Sequence, residues 1–195
     1  MNSVETIIED IKKLSGKYNP HIIFSDWVRM YAISIQNSCT LSNKLWEKRE
    51  EEYINTMKRY TTEEMKIMVE MNGLLVIENE EKISDYLGEI YMKSGAGSKE
   101  TGQFFTPFHI SELVAKMNLK DIKDGESILI NEPSSGGGGM ILAAAKILIE
   151  KGINYQKYME VVAQDLDWLG VYMTYIQLSL LGIKATVIQG DTLGR

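Results

Sequence analysis

Along the first hundred residues the apolar positions recur at helical spacing. Val4, Ile7, Ile8, Ile11 and Leu14 fall at i, i+3, i+4 and i+7, which predicts an amphipathic helix. Asn2 and Glu5 have the spacing of a capping box at its start. Gly16 and Pro20 predict its end and the opening of a second helix, with Phe24, Trp27, Val28, Tyr31 and Ile35 on the apolar face. A charged helix is expected from Ser42 to Tyr60, its run Glu47 to Glu52 forming a solvated face. Thr61 and Glu64 mark another capping box before Met65, Ile67, Met68 and Met71, and a further helix is expected from Glu81 to Met92. The run Lys93-Ser94-Gly95-Ala96-Gly97-Ser98-Lys99 is small and polar, as in a linker or mobile loop.

Past that run the period changes. Ser127 to Asn131, Met159 to Gln164 and Ala185 to Gln189 read as strands, separated by helical patterns over Gly139 to Lys151 and Trp168 to Leu181. Strands alternating with helices predict a parallel sheet with right-handed crossovers. The expected organisation is therefore a helical region over 1–93, a flexible loop over 94–101, and an α/β domain of about three parallel strands over 102–195.

Composition narrows the function classes. The eleven methionines are expected to fill gaps in the core. One cysteine, Cys39, cannot form an internal disulfide, and the two histidines, His21 and His109, make a zinc site unexpected. No apolar stretch is long enough to cross a membrane and no signal-peptide pattern opens the chain, so a cytoplasmic location is the simplest expectation. A net charge of −6 argues against strong autonomous binding to nucleic acid, which needs lysines and arginines to neutralise phosphates.

Four segments carry the candidate chemistry. They are Gly102-Gln103-Phe104-Phe105-Thr106-Pro107 ahead of a helix, Glu132-Pro133-Ser134-Ser135-Gly136-Gly137-Gly138-Gly139 after the first strand, Gln164-Asp165 after the second, and Gly190-Asp191-Thr192-Leu193 after the third. In an open α/β sheet, ligands sit beyond the carboxyl ends of the strands. Glycines let the backbone approach a ligand there. Asp165 is placed to accept from both hydroxyls of a ribose, and Asp191 from an adenine amino group. The dinucleotide pattern needs a third glycine where Ile141 stands, and a phosphate-binding loop needs a lysine that is missing here. An uncharged glycine loop preceded by Glu132 suits a ligand with a cationic centre and no pyrophosphate, and S-adenosylmethionine fits that description. Blander roles stand beside these. Thr106 has the position of a helix N-cap, Asp167 likewise, His109 reads as a helix-surface residue, and core packing is expected of Trp168 and Tyr172.

These segments, in this order, resemble the modification subunit of type I restriction–modification systems and related adenine-N6 DNA methyltransferases. Tyr86-Leu87-Gly88-Glu89-Ile90-Tyr91 resembles the helical region ahead of that family's catalytic core. The resemblance implies a Rossmann-like S-adenosylmethionine-dependent fold. Gln103, Phe104, Phe105, Thr106 and Pro107 would close over the methionine end, with Thr106 on its carboxylate. Glu132 and the backbone of Gly136, Gly137, Gly138 and Gly139 would line the methionine and ribose. Asp165 would hold the ribose hydroxyls and Asp191 would face the adenine. DNA would be met indirectly or through a partner, either a specificity-type subunit or a second copy.

The sequence also departs from the family pattern. The family loop usually reads Asp-Pro-Ala-Cys-Gly-Ser-Gly-Gly, whereas Glu132, Ser134, Ser135 and Gly137 stand here at four of those positions. Four glycines in a row predict a loop of high chain entropy. The family's Asn-Pro-Pro-aromatic motif, which orients and stacks a flipped base, has no counterpart, since Pro20, Pro107 and Pro133 are the only prolines. No catalytic residue is assigned, and the chain alone is expected to be inactive. The alternative reading is a non-catalytic regulatory or interaction protein derived from such a methylase. In the family's strand order the first strand is central, so it is expected here to offer an edge that helices, a second copy or a partner covers.

Overall fold

The computed structural model describes residues 2–40, 43–97 and 105–194. Gln103 and Phe104 lie outside the described residues. The chain forms two compact units, Met1–Glu78 with Glu89–Gln103, and Asn79–Gly88 with Phe104–Arg195.

The first unit is helical. It contains α1 (Ser3–Leu14), α2 (Pro20–Cys39), α3 (Lys44–Met57), most of α4 (Thr62–Glu81) and the C-terminal part of α5 (Tyr86–Lys93). Asn2 caps α1 by accepting from the Val4 N–H at 2.8 Å rather than through the expected box with Glu5, and Asn19 caps the helix that Pro20 opens, accepting from Ile22 at 2.9 Å. Thr61 and Glu64 close their capping box in both directions. The predicted apolar stripe of α1 is buried throughout. Phe24 lies edge-on to Trp27 and Tyr91, with ring centroids 5.8 and 5.2 Å apart, and the Trp27 indole donates to Asn72 at 2.7 Å.

Asp26 is a carboxylate in this core, 3% exposed. It accepts from Arg59 Nη1 at 2.9 Å and from the Tyr60 hydroxyl at 2.8 Å. Burial, and then the hydrogen bond to Asp26, push the Tyr60 hydroxyl well above the ordinary tyrosine range.

Two expectations change here. The helix expected from Glu81 to Met92 is instead the end of α4, a break over 82–85, and α5. Asp85 sets the start of α5, its side chain accepting from the Gly88 N–H at 3.0 Å in the geometry of an N-cap. The described part of the expected flexible loop, 94–97, packs with the helices. Ser94 and Ala96 are buried, Ser94 N–H donates to the Ile90 carbonyl at 2.8 Å, and Gly97 N–H donates to that of Tyr91 at 3.1 Å. Small residues there serve close packing rather than freedom.

The second unit holds α6 (Phe108–Asn118), β1 (Ile128–Glu132), α7 (Gly139–Glu150), α8 (Tyr155–Tyr158), β2 (Met159–Asp165), α9 (Trp168–Leu180) and β3 (Lys184–Gln189). Its sheet is parallel with strand order β1-β2-β3. Ile128, Met159, Val161 and Ala163 face the core with the apolar residues of α7 and with Leu178 of α9. Two right-handed crossovers in one direction lay both helices on one face of the sheet. Side chains alternate across the strands, so the opposite face carries Leu129, Val162 and Ile188, all exposed. β1 is an edge strand of the described sheet. Lys146 pairs with Glu112 to tie α7 to α6, and Lys151 Nζ donates to the Leu119 carbonyl at 2.5 Å. Among the described residues no helix is long and apolar enough to cross a membrane.

Candidate cofactor site

The carboxyl ends of the three strands converge through the glycine loop. Register places Glu132 of β1 beside Ala163 of β2, and Asp165 of β2 beside Gln189 of β3. The loop leaves β1 at Glu132 and is fastened to β2 at once, because Ser135 N–H donates to the Gln164 carbonyl at 2.9 Å. Gly136 N–H then donates to Asp165 Oδ2 at 2.7 Å, and Asp167 N–H donates to the other oxygen, Oδ1, at 2.9 Å. Gly190 N–H donates to the Asp165 carbonyl at 2.9 Å, and the Thr192 hydroxyl donates to the Pro133 carbonyl at 2.6 Å. Asp165 is thus the hub that joins all three strand ends, and each of its carboxylate oxygens has one lone pair still to offer.

The loop is not the floppy run that four glycines predict. Gly136 and Gly138 have φ of +52° and +89°, a region that disfavours any side chain. A Cβ on Gly136 would also meet the Phe105 ring at 3.0 Å, so this aromatic lies directly on the loop. The structure therefore brings Phe105, Gly136 and Asp165 together. Thr174 of α9, fully buried, donates to the Gly136 carbonyl at 2.9 Å. Sequence reading missed Thr174 and its neighbour Gln177. Two polar residues three apart among the buried positions of a largely apolar helix were the available signal.

Other side chains sort differently. Thr106 and Pro107 are exposed, and the cap of α6 is Pro107, with no side-chain cap bond. The capping role considered for Thr106 is therefore corrected: its hydroxyl does not serve the helix. Asp167 does cap α9, accepting from Leu169 N–H at 3.2 Å. Trp168 is 53% exposed, against the expectation of core packing, while Leu169 and Val171 of the same turn are buried. Its ring stands 5.5 Å from that of Tyr172. Asp191 is exposed and accepts from Leu193 N–H at 2.9 Å in a local turn. His109 is exposed on α6.

The electrostatics favour a cation. Segments 132–139, 165–168 and 190–194 contain Glu132, Asp165, Asp167 and Asp191, and no lysine or arginine. Burial raises the pKa of Glu132; the Ser134 N–H works against this, and nearby Asp165 adds to it. With its folded pKa above the unfolded one, Glu132 binds its proton more tightly in the fold. Stability therefore falls as pH rises through that range, and ionised Glu132 is a cost at neutral pH. Glu132→Gln is expected to raise Tm at pH 7, with the gain vanishing in acid where Glu132 is protonated. Thermal unfolding from acid to neutral pH checks this, and an unchanged or lowered Tm at pH 7 contradicts it.

Comparison with known proteins follows this geometry. The family model described as N-6 DNA Methylase matches residues 80–195. The chain belongs to the N-6 DNA methylase family. The match spans the second unit's strands, its glycine loop and Asp85. A Listeria monocytogenes structure described as a class I S-adenosylmethionine-dependent methyltransferase aligns over 99% of this chain with a TM-score of 0.58 and 13% identity. The alignment covers 55% of that protein, so the chain spans about half its length. The type I restriction-modification system methyltransferase subunit from Streptococcus thermophilus aligns over 67% of this chain and 28% of its own, with a TM-score of 0.47 and 18% identity. No curated protein matches the chain. The fold of the N-6 DNA methylase chain is thus a helical region followed by a Rossmann-like methyltransferase sheet of three described strands.

Proposed function

We propose that this N-6 DNA methylase chain binds S-adenosylmethionine at its strand ends, as the cofactor-holding part of an adenine-N6 DNA methyltransferase of the restriction–modification type. The observation that carries the reading is the Asp165 hub. A buried carboxylate fixed by Gly136 and Asp167 N–H groups, with lone pairs left over, suits a pair of ribose hydroxyls. Gly136 to Gly139 would lie along the methionine and ribose, and Glu132 would face the cationic methionine end. Phe105, Thr106 and Pro107 would flank the methionine, the Thr106 hydroxyl having no cap to serve. Asp191 would meet the adenine amino group. The absence of cations from these segments disfavours nucleoside triphosphates, and Ile141 in place of a third glycine disfavours dinucleotides. DNA would be reached through a partner subunit, since the chain is acidic overall.

S-adenosylmethionine would supply an electrophilic methyl group. Orienting an adenine amino group toward it is the task of the missing Asn-Pro-Pro-aromatic motif. The chain by itself is therefore expected to hold cofactor without transferring methyl groups. Incubation with methyl-labelled S-adenosylmethionine and DNA tests both halves. Cofactor should be retained in equilibrium dialysis, without competition from ATP or NAD, while no label enters DNA. Labelled N6-methyladenine made by this chain alone would overturn the assignment of catalysis to the absent motif. No retention of cofactor would overturn the binding reading.

A further inference from the structure

The second and fourth glycines of the loop, Gly137 and Gly139, answer to a protein carboxylate. Asp85 sits in the turn before α5 and is 6% exposed. A Cβ on Gly139, the first residue of α7, would lie 3.0 Å from Asp85 Oδ2, and one on Gly137 would lie 3.3 Å from Oδ1. Gln177 joins the two segments. It is fully buried on α9, and its Nε2 donates both to Asp85 Oδ1 at 2.9 Å and to the Gly137 carbonyl at 2.6 Å. Its Oε1 accepts from Leu87 N–H at 3.2 Å, so both donors and the acceptor are in use. One turn earlier, Thr174 holds the Gly136 carbonyl.

We infer that Asp85 and Gln177 are positioning residues for the cofactor, forming a clamp that sets the glycine loop in its binding conformation. The inference rests on the reading of this loop as a cofactor site. Two consecutive loop carbonyls are drawn toward α9, which fixes the backbone immediately after the Gly136 N–H that meets Asp165. Gln177 can hold the Gly137 carbonyl only while its amide is correctly turned, and Asp85 and Leu87 turn it. Asp85 therefore acts on the loop through Gln177, without touching the ligand.

Calorimetric titration of the full chain with S-adenosylmethionine tests the clamp. Asp85→Ala is expected to raise Kd about tenfold or more, and Asp85→Asn, which keeps an acceptor for Gln177 and Gly88, to stay within about threefold of the unchanged chain. Because Asp85 works through Gln177, the double variant Asp85→Ala/Gln177→Met should bind no more weakly than the weaker single variant. A purely structural role would lower Tm in each variant while leaving Kd alone at temperatures where the chain is folded. Wild-type Kd in Asp85→Ala, no recovery in Asp85→Asn, or losses that add in the double variant would each overturn the clamp alone. If Asp85→Ala does not fold, Gln177→Met against the unchanged chain carries the same comparison, with wild-type Kd overturning the clamp. Failure of the unchanged chain to bind would instead overturn the cofactor reading, and the clamp with it.

Discussion

Asp165→Ala is expected to abolish measurable S-adenosylmethionine binding, lowering affinity at least about 100-fold. The substitution removes the acceptors proposed for two ribose hydroxyls, and hydrogen bonds to a charged group contribute about 1.5–3 kcal/mol each. It also releases the Gly136 and Asp167 N–H groups, so the loop loses its tie to β2 at the point where it must meet the cofactor. Two effects then act in one direction. Asp165→Asn separates them, because one oxygen remains for the Gly136 N–H while the second acceptor is lost. Its affinity is expected to fall between those of the unchanged chain and Asp165→Ala. Titration calorimetry on the three proteins checks the order. Binding by Asp165→Ala within about threefold of the unchanged chain would show that the β2 acid does not hold the ribose.

The largest loss of stability is expected in the helical unit, at Asp26. Asp26→Ala removes a buried acceptor from the Tyr60 hydroxyl and from Arg59. Arg59 is 46% exposed, so water replaces much of what it loses and its share is small. The Tyr60 hydroxyl is half-buried and loses its acceptor, and a cavity is left among α2 and the turn after α3. The combined cost is about 2–4 kcal/mol. Asp26→Asn keeps an acceptor for Tyr60 and is expected to cost about half as much. Urea unfolding followed by the fluorescence of Trp27, which lies next in sequence, measures both. Equal stability of Asp26→Ala and the unchanged chain would mean that this carboxylate's burial is offset elsewhere.

Elements with a local cause were legible from sequence. The α1 stripe, the Pro20 start of α2 and the Thr61–Glu64 box each follow from short-range sequence patterns, and each forms as read. The three strands and the two crossover helices were legible to within about a residue because their period switches cleanly after the Gly-Ser run. The break before α5 was not. Asp85 starts α5 through its own side chain, inside a stretch whose apolar spacing runs straight through. The conformation of the glycine loop was not legible either. Its rigidity comes from Thr174, Gln177 and Asp85, which are distant in sequence and adjacent only after folding. Composition shows that four glycines are free to bend. Tertiary hydrogen bonds decide that they do not. Trp168 failed for the opposite reason, since an aromatic at helical spacing reads as core even where it stands on the outer side of a turn whose Leu169 and Val171 are buried.

The central claim is that the loop between β1 and α7 holds S-adenosylmethionine with Asp165 at its base. Backbone amide resonances recorded during a titration with S-adenosylmethionine test it most directly. Saturable shifts concentrated at Gly136, Gly138, Asp165 and Asp191, with a one-to-one endpoint, are the predicted result. No shifts at millimolar cofactor, or shifts confined to other residues, would contradict it.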